Sequence, residues 1–151
     1  MFKYLAILAI TLGTLTGCTP PAADTSADLA TIKADVLNWM EAYNAGDADS
    51  VAALYSEDAL LMPPGAVAAV GRDAIRDFIT ANIADAKAQG LTFTGDESSD
   101  GGIEGNTGWT SGTFAVNDAS GATVATGKYL TAYERIDGEW QLVRDIWNSD
   151  E

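Results

Sequence analysis

Between Gly90 and Leu91 the hydrophobic period of the chain changes, and that change limits the fold more than any other feature. Before it, apolar residues recur at steps of three and four. Ile32, Val36, Trp39 and Tyr43, widened by Leu29 and Met40, share one face of a helix, and Ile75, Phe78, Ile79 and Ile83 share the buried stripe of another over residues 72–87. After it the period is two, over residues 91–99, 106–117, 123–136 and 139–148. Runs of helix followed by runs of strand predict an α+β domain.

Local punctuation divides these runs. Gly46 stops the first helix in a left-handed turn, and Asp47, Asp49 or Ser50 caps a second, short helix reaching Tyr55, with Val51, Leu54 and Tyr55 inward. The apolar run from Ala59 to Met62 breaks at Pro63-Pro64-Gly65, and residues 66–70 read as a short return strand. Gly71 opens the third helix, with Asp73 and Lys87 placed to suit its dipole. Asp137-Gly138 between two apolar-aromatic runs marks a two-residue hairpin, and residues 118–121 form a looser one. The expected order is α-α-β-β-α-β-β-β-β, with the strands after the third helix forming an antiparallel meander. A long twisted sheet of this kind curls over helices and leaves a hollow between them.

The first residues belong to a different problem. Lys3 is followed by an almost wholly apolar stretch over residues 4–15, shorter than the ~20 residues a spanning helix needs. It ends in Leu15-Thr16-Gly17-Cys18, which resembles the lipobox of bacterial lipoproteins. That resemblance implies a signal peptide over 1–17, lipidation (diacylglycerol and an N-acyl chain such as palmitate) of Cys18, a Pro/Ala/Ser/Thr-rich tether over 18–27, and one domain over 28–151. Thr19 rather than aspartate after the cysteine favours the outer membrane of a Gram-negative cell envelope, on its periplasmic side. The alternative is a simple secretory signal with an incidental cysteine.

The sequence has one cysteine and no histidine. With Cys18 acylated, the mature chain has no disulfide and no thiolate catalyst, and Ser-His-Asp chemistry, Cys-His chemistry and the usual zinc ligand sets are excluded. A net charge of −14, one unit more negative once Lys3 is removed, repels nucleic acid and anionic headgroups, so membrane contact is expected through the lipid alone. The stretch "DESSDGGIEGNT" sets Asp96, Ser98 and Asp100 at alternate positions with Gly101 sixth, but Thr107 stands where a calcium loop needs a bidentate glutamate. An acidic turn between strands accounts for it. No metal and no cofactor is expected.

Three segments, "AYNAGDADSVAALYSEDALLMPPG", "VGRDAIRDF" and "GKYLTAYERIDGEWQLVRDIWNSD", agree in order and spacing with the nuclear transport factor 2-like superfamily, and the chain is most similar to its SnoaL-like and ketosteroid-isomerase-like branch. The resemblance spans residues 29–150. It implies a cone-shaped curved sheet wrapped around a long N-terminal helix, a pocket between them, and a homodimer through the sheet. Ketosteroid isomerases carry a carboxylate base sixteen residues after the aspartate of the Asn-Ala-Gly-Asp turn and an oxyanion-holding tyrosine eight residues before it. Here those positions are Pro63 and Trp39. Proline takes no proton and an indole N–H does not titrate, so ketosteroid-isomerase chemistry is not expected and the rim at Met62-Pro63 is a wall.

The polar residue of most interest is Asp145 in "VRDIWNSD". Alternation sets Val143, Asp145 and Trp147 on one face of the last strand and Trp140, Leu142 and Ile146 on the other. A buried Asp145 would have a raised pKa and act as a catalytic acid or base. The alternative is a structural carboxylate that pairs with an arginine or accepts backbone hydrogen bonds. Trp39, Tyr43, Met62, Trp109, Tyr129 and Trp147 are the candidate ligand-pocket residues, with Tyr133 a further ring on the strands. Three functions of different class follow: a lipid-anchored module binding a small, largely apolar organic molecule; an isomerase, hydratase or hydrolase using Asp145; and an interaction domain that pairs through its sheet.

Overall fold

The computed structural model describes residues 25–95 and 99–150. The signal peptide, Cys18, nearly all of the tether, and Asp96 and Ser98 of the acidic turn lie outside the described residues. The elements are α1 (Ser26–Ala45), α2 (Ala48–Ala53), β1 (Tyr55–Met62), β2 (Ala69–Val70), α3 (Arg72–Gln89), β3 (Thr92–Gly95), β4 (Asp100–Glu104), β5 (Thr107–Asn117), β6 (Thr123–Ile136) and β7 (Glu139–Ser149). Helix α1 takes in Ser26 and Ala27, the last two residues expected in the tether. No described helix is long and apolar enough to cross a membrane.

The local signals act as their chemistry requires. Gly46 closes α1 at φ 85°, a left-handed conformation that costs a residue with a Cβ. One residue later Asp47 caps α2 by accepting the Ser50 backbone N–H at 3.0 Å. Asn44, in the last turn of α1, offers its amide to Phe93 as a strand would: Nδ2 donates to the Phe93 carbonyl at 2.7 Å and Oδ1 accepts its N–H at 2.9 Å. Asp137 and Gly138 have φ 52° and 92°, the two positive values of a type I′ hairpin. Beside that hairpin Asp28 accepts the Trp140 indole N–H at 3.1 Å and pairs with Arg135, which lies over the Trp140 ring. The start of α1 is thereby fixed to the β6–β7 turn.

The fold is α+β, with a curved sheet whose order is β2-β1-β7-β6-β5-β3 and with β4 also on β5. Two details correct the sequence expectation. The sheet is mixed rather than wholly antiparallel, because β1 runs parallel to β7, with Leu60 opposite Arg144 and Leu61 opposite Asp145. Five strands rather than four follow α3, since β3 ends at Gly95 and β4 is a separate strand. The glycines of "DGGIEG" read as turn, yet Gly101 and Gly102 pair with Thr110 and Trp109. Gly102 is suited to this because the Trp109 indole lies where its Cβ would be. Strands β3 and β4 thus occupy the same edge of β5 end to end, at residues 114–117 and 107–111.

The helices cover one face of this sheet. Ile32 and Tyr43 of α1, Ile75 and Ile79 of α3, and Tyr55, Leu61, Tyr133 and Leu142 of the strands form one buried cluster. Each fully buried aliphatic side chain here contributes roughly 1.5–3 kcal/mol.

Candidate functional site

The cluster does not close completely. Between α1, α3 and the inner face of β3, β5, β6 and β7 lies a cavity of about 180 Å³. Helix α1 contributes Asp35, Val36, Trp39 and Met40, and α3 contributes Phe78, Ile79 and Asn82. Phe93, Phe114, Tyr129, Thr131, Tyr133, Leu142, Asp145 and Trp147 come from the sheet. The spacing is that of the elements: Asp35 and Trp39 are one helical turn apart, as are Phe78 and Asn82, while residues 129, 131 and 133 alternate along β6.

On β7 simple alternation fails, and the reason is a bulge. Tyr133 pairs with Leu142 but its neighbour Ala132 pairs with Arg144, which leaves Val143 as an extra residue. Leu142 therefore shares the cavity face with Asp145 and Trp147, and the expected place of Val143 there is corrected. Ile146 is 43% exposed on the outer face, as alternation predicts.

Asp145 is buried. The Tyr55 hydroxyl donates to its Oδ2 at 2.5 Å, and the Trp39 indole N–H donates to the Tyr55 oxygen at 2.9 Å. Burial pushes the Asp145 pKa up to about 6, with the bond from Tyr55 pulling the other way. Tyr55 is itself raised well above the ordinary phenol range, first by burial and then by the Asp145 charge, so it stays a neutral donor. Asp35, half-buried on α1, is also raised by burial. Tyr133 is 1% exposed, and its hydroxyl makes no well-aligned hydrogen bond, although the Thr131 and Thr110 side chains lie beside it. Burial raises it too, with Thr131 and Thr110 pulling the other way and the Asp35 and Asp145 charges adding to the rise. Asn82 is held by Tyr43, whose hydroxyl donates to its Oδ1 at 2.5 Å. The Asn82 carbonyl oxygen is thereby engaged and its amide N–H₂ left as the donor side.

The aromatic lining falls into two contacting groups. Trp39 stacks on Tyr43 at 5.1 Å, Tyr43 meets Phe93 edge-on at 4.9 Å, and Phe78 meets Trp147 at 6.3 Å. Of the six candidate pocket residues, Trp39, Tyr129 and Trp147 line the cavity. Tyr43 stands behind the wall, orienting Trp39 and Asn82. Two do not reach the cavity and are corrected. Met62 is level with Ile146 in the β1–β7 register and so faces outward. Trp109 is 41% exposed and lies over Gly102 on the outer face, because the inward position of β5 next to it is Thr110, bonded to Thr131 at 2.6 Å. Asp35 and Asn82 are lining residues that pattern-reading missed. A polar residue on a helix reads as solvent-facing, and the only signal was the four-residue step from Asp35 to Trp39 and from Phe78 to Asn82. Among the described residues no three carboxylates are grouped to hold a metal ion.

Residues 36–143 match the SnoaL-like domain model. The chain belongs to the SnoaL-like domain family. Solved structures with this fold include a nuclear transport factor 2-like protein with a cystatin-like fold from Novosphingobium aromaticivorans, 21% identical over 80% of each chain with a TM-score of 0.72. A Mycobacterium tuberculosis protein of unknown function is 19% identical over 89% of this chain and 79% of its own, with a TM-score of 0.74. A ketosteroid isomerase-like protein from Erwinia carotovora atroseptica is 21% identical over 83% of this chain and 98% of its own, with a TM-score of 0.64. At these identities the likeness is one of fold. No curated protein matches the chain. Within this SnoaL-like domain Pro63 is buried but does not line the cavity, whereas Trp39 does, with its N–H committed to Tyr55.

Proposed function

We propose that this SnoaL-like domain binds a small, largely apolar organic molecule in the cavity between α1 and the sheet. The observation that carries the reading is a space of about 180 Å³ lined by aromatic rings and by the Asp145 carboxyl. It is somewhat larger than the roughly 150 Å³ of an apolar cavity that takes up benzene, so a ligand with a single ring fits. Apolar walls with a few convergent polar groups are the usual make-up of a small-molecule site. Native mass spectrometry of the purified protein tests this. A non-covalent small-molecule mass on the wild type, lost in Phe114→Trp where a larger ring enters the cavity, is the expected result. If no adduct is found and added monocyclic compounds leave the tryptophan fluorescence unchanged, the reading is wrong.

A second reading has its own observation. Asp145 is buried against the cavity with no arginine partner and a pKa near 6, which suits a general acid or base working at neutral pH. In that reading Asp145 moves a proton on the bound molecule, and Tyr55 positions it. Asp145→Asn would then lose at least about 100-fold in turnover. Full turnover in that variant excludes the role.

Cys18, on the strength of the leader sequence, is proposed to carry the lipid that holds the domain to the cell envelope, with the periplasmic face of the outer membrane favoured. Labelling with a radioactive fatty acid, abolished by Cys18→Ser, is the check. A homodimer through the outer face of the sheet is proposed on the exposure of Leu130 and Ile146 there.

A further inference from the structure

We infer that the molecule this cavity takes is a small organic amine, its ammonium group set against Asp145 and its hydrocarbon body among the aromatic rings. The inference rests on the ligand-pocket reading and adds the charge of the ligand to it.

The charges of the fold support this. Two carboxyls line the cavity and no lysine or arginine does. The described basic residues are all engaged or placed elsewhere. Arg72 pairs with Glu57, Arg76 with Asp49 and Asp73, Lys128 with Asp150 and Arg135 with Asp28. Arg144 is exposed on the outer face, Lys87 lies against Gly46, and Lys33 is two residues from Asp35 on α1, which turns it from the cavity. Asp145 is mostly ionised at neutral pH, with only the neutral Tyr55 hydroxyl bonded to it. Buried charges in proteins are ordinarily paired, and here the fold supplies no cation. A ligand's own charge completes the pair.

The rest of the lining fits the same occupant. Tyr133 is buried on the same lining and its hydroxyl makes no well-aligned hydrogen bond, and its oxygen is an acceptor for an ammonium N–H. The rings of Trp39, Phe78, Phe93, Phe114 and Trp147 line the remaining volume, and an aromatic face attracts a nearby cation through its quadrupole. A carboxylate or phosphate ligand would meet two like charges with no compensating group.

Benzylamine, benzyl alcohol and benzoate have nearly the same shape and differ in charge, so calorimetric titration of the protein with each, at a pH where Asp145 is ionised, separates the terms. Benzylamine is expected to bind at least about tenfold more tightly than benzyl alcohol, with benzoate weakest. Asp35→Asn and Asp145→Asn should each reduce the amine-to-alcohol ratio several-fold while leaving benzyl alcohol affinity in place. If benzyl alcohol binds and benzylamine binds no better, the amine inference falls and the pocket reading stands. A ratio unmoved by both substitutions would assign the amine to the acidic surface and overturn the inference. If none of the three binds, both readings fall.

Discussion

Asp145 is a stability cost that the fold carries at neutral pH. Its pKa is raised in the folded protein, so the folded state holds a proton that the unfolded chain has released between pH 3.8 and about 6. In that window stability falls as pH rises, and above it the penalty is constant. At about 1.4 kcal/mol per pH unit the penalty is bounded near 3 kcal/mol. Asp145→Asn, which keeps an oxygen for the Tyr55 hydroxyl, is therefore expected to raise stability by about 1–3 kcal/mol above pH 6 and to flatten the pH dependence of chemical denaturation below it. Tyr55→Phe acts in the opposite sense. It removes the group that lowers the Asp145 pKa and leaves the Trp39 N–H without its acceptor, so the carboxyl should titrate above 6 by carbon-13 NMR and stability should drop by about 1–2 kcal/mol. Asp145 was legible because an acid between apolar neighbours on a strand is conspicuous. Tyr55 was legible as an inward residue but was placed at the end of a helix, and its bond to a residue 90 positions away leaves no trace in local pattern. Asp35 was not legible, because a helix tolerates aspartate on any solvated face and only tertiary packing decides which face that is.

At the scale of elements, β7 shows where period-two reasoning fails. Before the bulge Leu142 faces inward; after it Asp145 and Trp147 do. A reading that carries one phase along the whole strand is correct for the second half and reversed for the first. Glycines in the strands mark a related limit, since their meaning is spatial. A Cβ on Gly127 would lie 2.3 Å from Phe114 Cζ and 2.5 Å from the Asn148 carbonyl oxygen. Gly127→Ala is expected to cost about 1–3 kcal/mol as overpacking against the backbone, read as a lowered Tm, and to weaken ligand binding because Phe114 must move into the cavity. Gly121→Ala, with open space around it but φ 84°, should cost only about 1 kcal/mol from backbone strain and leave binding unchanged. Helix boundaries, by contrast, were legible to within about two residues, because Gly46, Asp47 and Gly71 act through short-range chemistry that the chain carries wherever it goes.

For the whole molecule, the two proposed roles, ligand binding and dimerisation, fall on opposite faces of one sheet. The inner face holds the cavity, and the outer face presents Leu130 and Ile146 as direct neighbours in the β6–β7 register, with Met62 next in line on β1. Leu130→Glu should convert a dimer to a monomer by light scattering while leaving ligand affinity unchanged. A wild type that is monomeric at all concentrations would count against the sheet interface. The overall architecture was legible because helix runs and strand runs are separated along the chain. The parallel neighbour of β7 was not, because pairing across such a distance follows from closure of the whole sheet. That closure also sets an order of events. Strands β5, β6 and β7 join through short turns and can assemble early, whereas β1 must return over some 80 residues to dock on β7, and contacts of such separation form slowly. The seam they make is crossed by the bond from Tyr55 to Asp145. Substitutions such as Thr131→Ala in the meander should slow refolding, while Leu61→Ala on β1 should chiefly speed unfolding. The Asp145 wall of the cavity would then be the last part of the molecule to exist on the way in and the first to dissolve on the way out.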